Sequence, residues 1–375
     1  MRGINFDYAA TTPTRQEVIE AMLPYMYEYS GNPSSRHSFG DLSKKAMLNA
    51  HVKVAGNVGA AGDEIIFTGS GTEAINTVLK GVVEAAGKKD CHIITSAIEH
   101  HAVIETCKYL AKRGCRITYL PVDNRGMVDP DEVKKAITDK TVLISIMHVN
   151  NEIGTIQPIA EIGRIANTYS IPFHSDSVQA VGHLEVDVND LGINFLSMSA
   201  HKLYGPKGVG ALVIRKGSTI MPLLHGGGQE RGLRSGTPNV PGVVGFSKAL
   251  ELALLEMAEE NKKNWSLRKK LIEGLEEFAS EVHINGHPTE TVPHIINVCF
   301  KGTSNEELMR ALDQEGIFVS KGAACGSAYE EPSHVLTAMG LTPEEAHNSI
   351  RLSLGRWSTE DDIDLLLDVI SRAKK

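Results

Sequence analysis

The chain has 375 residues, of which 42% are hydrophobic and 22% charged, and it carries a formal charge of −8. That length exceeds one core of about 100–200 residues and predicts a large domain with a smaller companion. An acidic balance without clustered lysine and arginine excludes the footprint of a direct nucleic-acid binder, and no run of 18 apolar residues offers a membrane span.

Five cysteines, at 91, 107, 115, 299 and 325, are an odd number without close pairing or CxxC spacing. This argues against a disulfide framework or a structural zinc site and predicts a reducing, cytoplasmic setting. The opening MRGINFDYAATTP contains no apolar leader, so export is not expected.

From about Glu64 to Arg215, the runs EIIFTG, CHIITS, CRITYLP, TVLISIM, IPFHSD, INFLSMS and GVGALVIR alternate with helical patterns, the rhythm of an α/β layer. Several runs are apolar at both alternating positions, which predicts strands covered on both faces in a mainly parallel sheet. After the glycine-rich GGGQERGLRSGTPNVPG, helical spacing through SKALELALLEMAEENKKNWSLRKKLIEGLEEFA predicts one long helix joining two domains. Strand-like INVCF, IFVS and SIRLSL then alternate with helices beginning near Asn305, Glu344 and Thr359, a small α+β domain. The expected division is residues 13–255 for the large domain, and 1–12 with 256–375 for the small one.

Residues with chemical potential recur at the carboxyl ends of these strands, where open α/β sheets bind ligands. EIIFTG leads into SGTEAIN, where Gly71 permits a tight turn and Thr72 begins a helix, so N–H groups and a hydroxyl converge on an anion such as phosphate. By itself that turn reads as an ordinary helix cap. Asp176 ends IPFHSD, where an ionised carboxylate is costly unless it meets a cation; alone it reads as a turn cap. One strand later, Lys202 in SAHKLYGPKG is either a solvated lysine or an amine activated by burial for Schiff-base chemistry. A reactive lysine with a carboxylate placed to hold a pyridinium nitrogen points to pyridoxal phosphate.

Far downstream, Cys325 in KGAACGS lies among small residues, as a thiol that must reach a substrate and carry sulfur outward requires. Cys299 in INVCF reads as a buried cysteine, and Cys91, Cys107 and Cys115 as core residues without partners. Of fifteen histidines, only His100 and His201 stand in informative motifs.

Ten stretches together resemble the pyridoxal-phosphate-dependent cysteine desulfurases of the NifS/IscS type, in the class V aminotransferase group. They are FDYAATTP, GNPSSRH, TGSGTEAIN, IEHHAV, VNNEIGTIQP, HSDSVQ, SAHKLYGPKG, GGGQERGLRSGT, KGAACGSAYEEPSHVL and SIRLSLGRWST, and they span nearly the whole chain. The resemblance implies an aminotransferase-like fold (fold type I) and a homodimer. It makes Lys202 the cofactor-bearing lysine, Asp176 the partner of the pyridine nitrogen and Gln179 a contact of the ring hydroxyl. His100 would stack on the ring and move protons, and Asn151 would bind near the ring oxygen and substrate. Gly71, Thr72, Ser199 and His201 would hold the phosphate, with Thr237 completing that site from the partner subunit. Arg351 would bind the substrate carboxylate, while Arg356 would be structural.

Cys325 would take the sulfur of L-cysteine as a persulfide, releasing alanine. No metal is required, although Cys325 could act as a transient cluster ligand. The implied acceptor is a protein such as an iron–sulfur cluster scaffold, with tRNA thiolation a further destination. Ala323 and Gly326 depart from the hydroxyl residues commoner around the family's cysteine. Two other readings stay open at this level: a selenocysteine lyase or cysteine sulfinate desulfinase, and a silent sulfur-relay adaptor.

Overall fold

A computed structural model describes residues 3–87, 90–277, 282–321 and 332–373. It opens with the short strand β1 (Ile4–Asn5) and two helices, α1 (Gln16–Tyr27) and α2 (Ser38–Gly56). Seven strands follow: β2 (Ile65–Thr68), β3 (His92–Ser96), β4 (Arg116–Leu120), β5 (Thr141–Ser145), β6 (Phe173–Asp176), β7 (Phe195–Ser199) and β8 (Gly210–Ile214). They form one sheet in the order β2-β8-β7-β6-β5-β3-β4. Neighbours from β7 through β4 run parallel, and only β8 is antiparallel to both its neighbours.

Every residue of β2, β3, β6, β7 and β8 is buried. The apolar runs of β2 and β8 follow from helices on both faces, whereas β6 buries His174, Ser175 and Asp176 as well. The helices connecting these strands are α3 (Gly71–Ala86), α4 (His101–Ala111), α5 (Pro130–Ala136) and α6 (Ile159–Thr168).

The 37-residue α7 (Val240–Glu276) begins earlier than its apolar spacing suggested, capped by the Asn239 side chain on the Gly242 N–H. Its first half puts Val243, Phe246 and Leu250 into the core under the large sheet. Its second half puts Leu267, Leu271 and Leu275 into another core, shared with Phe6. Each such side chain contributes about 1.5–3 kcal/mol by burial.

That second core is built on β9 (Val282–Asn285), β10 (Ile295–Phe300) and β12 (Ser349–Ser353), an antiparallel sheet in the order β12-β10-β9. The remaining strand, β11 (Ile317–Phe318), pairs in parallel with β1. Helices α8 (Asn305–Gln314), α9 (His334–Ala338), α10 (Pro343–His347) and α11 (Glu360–Ala373) complete this part. Among the described residues, no helix is long and apolar enough to cross a membrane.

The cysteine expectation needs one correction. Cys91 and Cys115 have Sγ atoms 2.9 Å apart, as two buried free thiols. Parallel register pairs His92 with Arg116, which sets the residues before the two strands side by side. Cys107 and Cys299 are buried.

Candidate active site

The carboxyl ends of the parallel strands converge on a cavity of about 160 Å³. One end of it is built to receive an anion. After β2, Ser70 caps α3 by accepting the Glu73 N–H at 3.1 Å, leaving the N-terminus of this 16-residue helix at the cavity with Gly71 and Thr72. A side chain at Gly71 would place its Cβ 2.9 Å from the Val178 Cγ2 atom, so glycine keeps this wall open. Ser199, at the end of β7, and His201 line the same cavity. His201 is hydrogen-bonded to the Thr11 hydroxyl at 3.1 Å, and burial, with the charges of Lys202 and Lys207, pushes its pKa down to about 4.

Asp176 lies at the end of β6, 6% exposed, where its Oδ1 accepts the Val178 N–H at 3.1 Å. Burial raises its pKa to about 6, against the opposing pull of that N–H and of Lys202. A carboxylate with so little compensation favours a cation beside it. Gln179 lines the cavity and donates its Nε2 to the Ala9 carbonyl at 3.0 Å.

Lys202 follows β7 on a short turn and donates its Nζ to the carbonyls of Ala9 and Ala10, at 2.5 and 2.7 Å. The turn is held by its neighbours. Tyr204 has φ +59°, a left-handed conformation that costs a non-glycine residue about 1–2 kcal/mol. Its N–H donates to the Thr12 hydroxyl at 2.8 Å, its carbonyl accepts the Arg15 N–H at 3.0 Å, and its hydroxyl donates to Glu260 at 3.1 Å. Arg356 donates its N–H to that hydroxyl and pairs with Glu256, which makes it part of the same brace. Lys207 is exposed.

His100 caps α4, with Nδ1 accepting the Ala102 N–H at 3.1 Å, so the neutral ring carries its proton on Nε2. Burial foremost, and then the Lys202 charge, pushes its pKa down to about 4. Its neighbour His101 instead meets the His334 ring at 4.9 Å. A similar division separates the two asparagines of VNNE. Asn150 is consumed structurally, donating to the Ile98 carbonyl and accepting the N–H groups of Glu152 and Ile153, whereas Asn151 lines the cavity.

Arg351, on β12, reaches the cavity from the second sheet. Its Nη1 donates to the Asn151 carbonyl at 2.9 Å and its Nη2 to Asp7 Oδ1 at 2.8 Å. Eleven of the expected site residues are thus described. Ten line one cavity: Gly71, Thr72, His100, Asn151, Asp176, Gln179, Ser199, His201, Lys202 and Arg351. Thr237 does not; it is exposed in a separate cleft with Glu230 and Arg234. Cys325 lies outside the described residues. Among the described residues, no group of three or more His, Cys, Asp or Glu side chains is placed to hold a metal ion.

Sequence reasoning missed Asp7, the carbonyls of Ala9 and Ala10, and Glu99. Glu99 is fully buried; its Oε1 accepts the Ser96 hydroxyl at 2.6 Å and the Met147 N–H at 3.0 Å. Burial raises its pKa to about 8, with the Asp176 charge acting in the same direction. Its place directly before His100 was the one available signal.

The chain belongs to the aminotransferase class-V family, whose model matches residues 4–366. One relative, a protein from Dictyoglomus turgidum named Cysteine desulfurase IscS, is 53% identical over 371 residues, covering 99% of this chain and 94% of that protein. Among solved structures, a NifS-like protein superposes with a TM-score of 0.93 at 41% identity, covering 99% of this chain and 98% of the other. Another, described as SspA in complex with cysteine, gives 0.85 at 37% identity, covering 95% and 100%.

The cavity fits the family's cofactor, pyridoxal 5′-phosphate. The helix N-terminus and hydroxyls match a phosphate, and the under-compensated Asp176 matches a protonated ring nitrogen. Lys202 lies at the same cavity with its amine on the Ala9 and Ala10 carbonyls.

Proposed function

We propose that the ten cavity residues and Cys325 carry out a cysteine desulfurase reaction, converting L-cysteine to L-alanine and passing its sulfur onward as a persulfide on Cys325. The observation that carries this reading is the meeting, in one cavity, of Lys202, Asp176, the α3 N-terminus and the Arg351 guanidinium. When bound, pyridoxal 5′-phosphate supplies an electron sink for charge developing at the substrate Cα.

Thr72, Ser199, His201 and the N–H groups of α3 would hold the phosphate, and Asp176 would keep the ring nitrogen in its protonated form. Lys202 would hold the cofactor through its amine, and that amine would take the substrate Cα proton and give it back as alanine forms. Arg351 orients the α-carboxylate, for which a planar fork of donors is well matched. His100, neutral at its lowered pKa, would lie against the cofactor ring and move a proton at Nε2. The Cys325 thiolate attacks the substrate sulfur: an S–S bond forms, the Cβ–S bond breaks, and its electron pair stays on carbon, which is protonated to give alanine.

We further place this chemistry in a cytoplasmic homodimer that hands sulfur to an acceptor protein, chiefly for iron–sulfur cluster assembly. Apolar residues left exposed on α1 (Ile19, Leu23, Met26) and α2 (Leu48, Val52) support a subunit contact, and exposed Thr237 is available to a neighbouring subunit's phosphate site. The same reading groups residues 13–255 around the large sheet, and residues 1–12 with 256–375 around the small one.

Turnover of L-cysteine, L-selenocysteine and L-cysteine sulfinate by the cofactor-loaded protein tests the reaction. Cys325-dependent alanine formation from L-cysteine is expected. Turnover of the other two substrates alone would replace the proposal with a lyase or desulfinase.

A further inference from the structure

At 1% exposure, Arg351 is the largest fully buried side chain among the described residues. A buried guanidinium needs charge compensation and hydrogen-bond partners to be tolerated. Asp7 supplies the charge, at 2.8 Å from Nη2, and the Asn151 carbonyl takes an N–H of Nη1 at 2.9 Å. The Nε atom is buried without a hydrogen bond. Of the five N–H groups of the fork, these contacts leave one more on each terminal nitrogen, and Arg351 lines the cavity.

Asp7 is itself held in place. Its N–H donates to Asn5 Oδ1 at 2.8 Å. On either side, the Phe6 carbonyl accepts the Ser353 N–H at 2.7 Å and the Ala9 N–H donates to the Ser353 hydroxyl at 2.9 Å. Ser353 lies two residues beyond Arg351 on β12, so the segment carrying the carboxylate is laced to the strand carrying the guanidinium.

We propose that Asp7 is a positioning residue for substrate binding: by holding one N–H of Arg351 Nη2, it fixes the guanidinium plane so that the remaining N–H groups meet the α-carboxylate of the amino-acid substrate. The proposal rests on the reading of Arg351 as the carboxylate site. Asp7 then governs affinity only for ligands that bear a carboxylate, because it acts through the fork and touches no other part of the ligand.

The test compares L-alanine with ethylamine, which differ only in the carboxylate, by titrating cofactor-loaded enzyme and reading the visible absorption of the bound cofactor. Asp7→Ala should weaken L-alanine binding about tenfold and raise the KM for L-cysteine to a similar degree, with a much smaller change in kcat. Ethylamine binding should not change. Asp7→Asn keeps an acceptor oxygen but not the charge and should show a smaller loss, again for L-alanine and not for ethylamine, which tests the proposal even where Asp7→Ala fails to fold. In an Arg351→Ala background, Asp7→Ala should add no further loss of L-alanine binding.

Equal losses for L-alanine and ethylamine would reduce Asp7 to a general structural role and overturn the proposal, as would unchanged L-alanine binding in Asp7→Ala. If Arg351→Ala bound L-alanine as tightly as the unmutated enzyme, the carboxylate assignment itself would fall, and this proposal with it.

Discussion

The Lys202 Nζ atom lies 2.5 Å from the carbonyl oxygen of Ala9, 193 positions earlier in the chain. The segment Asp7–Ala10 thereby touches the proposed cofactor lysine through two carbonyls and the proposed substrate arginine through one carboxylate. A stretch far from either residue in sequence thus bridges the two functional ends of the cavity.

Replacing Lys202 by Ala removes the only side chain proposed to bind the cofactor covalently. Borohydride treatment should fix the cofactor to the unmutated chain, read as a mass increase on the peptide containing Lys202, and should fix none to Lys202→Ala. Activity should fall by at least about a thousandfold.

Asp176→Asn keeps the shape of the side chain but removes the charge proposed to hold the ring nitrogen in its protonated form. The expected result is retained cofactor with a shifted visible spectrum, and a loss of kcat of about a hundredfold. An unchanged spectrum and rate would remove Asp176 from the electron-sink chemistry.

Glu99 ties cofactor-free stability to pH. Its folded pKa, about 8, stands above the ordinary carboxylate value of 4.5, so between these limits the native chain binds more protons than the unfolded one. The protonated acid favours the fold at low pH, and that contribution is lost as pH rises from about 4.5 to about 8. Glu99→Gln removes this group from the balance. In thermal unfolding of the cofactor-free protein, the Tm of Glu99→Gln should gain on that of the unmutated chain as pH rises through this window, and the gap should level off above it.

On α1, Ile19, Leu23 and Met26 follow helical spacing on an exposed face. Leu23→Glu should shift the protein from dimer to monomer in sedimentation velocity. Because Thr237 is proposed to complete a neighbouring subunit's phosphate site, the monomer should also bind cofactor about tenfold more weakly. A monomeric variant with unchanged cofactor affinity would separate the two ideas.

The central sheet was legible because strands buried on both faces are mostly apolar, as GlyAlaLeuValIle at β8 and IleIlePheThr at β2 illustrate, with buried serines interrupting β7. Helices α1 and α2 and strand β9 were not anticipated. β9 shows no clean apolar alternation, with Val282 and Ile284 only partly buried, His283 exposed and polar Asn285 buried, and α1 contains Pro24, which weakens its helical pattern. In the site, motifs identified side chains but could not supply partners made by long-range register. Asp7 meets Arg351 only because the chain start is laced to β12, and Glu99 reaches Met147 only because β3 and β5 are adjacent. Backbone acceptors such as Ala9 leave no mark in residue identity. The contact between Cys91 and Cys115 likewise comes from parallel register.

The most direct test is a single turnover of L-cysteine by the cofactor-loaded protein, with alanine and protein-bound persulfide measured together in the unmutated chain and in Cys325→Ala. The account predicts one alanine and one persulfide per active site in the former, with the persulfide mapped to Cys325. Cys325→Ala should keep the cofactor's visible spectrum while forming neither product at a comparable rate. Equal persulfide formation in Cys325→Ala would contradict the account.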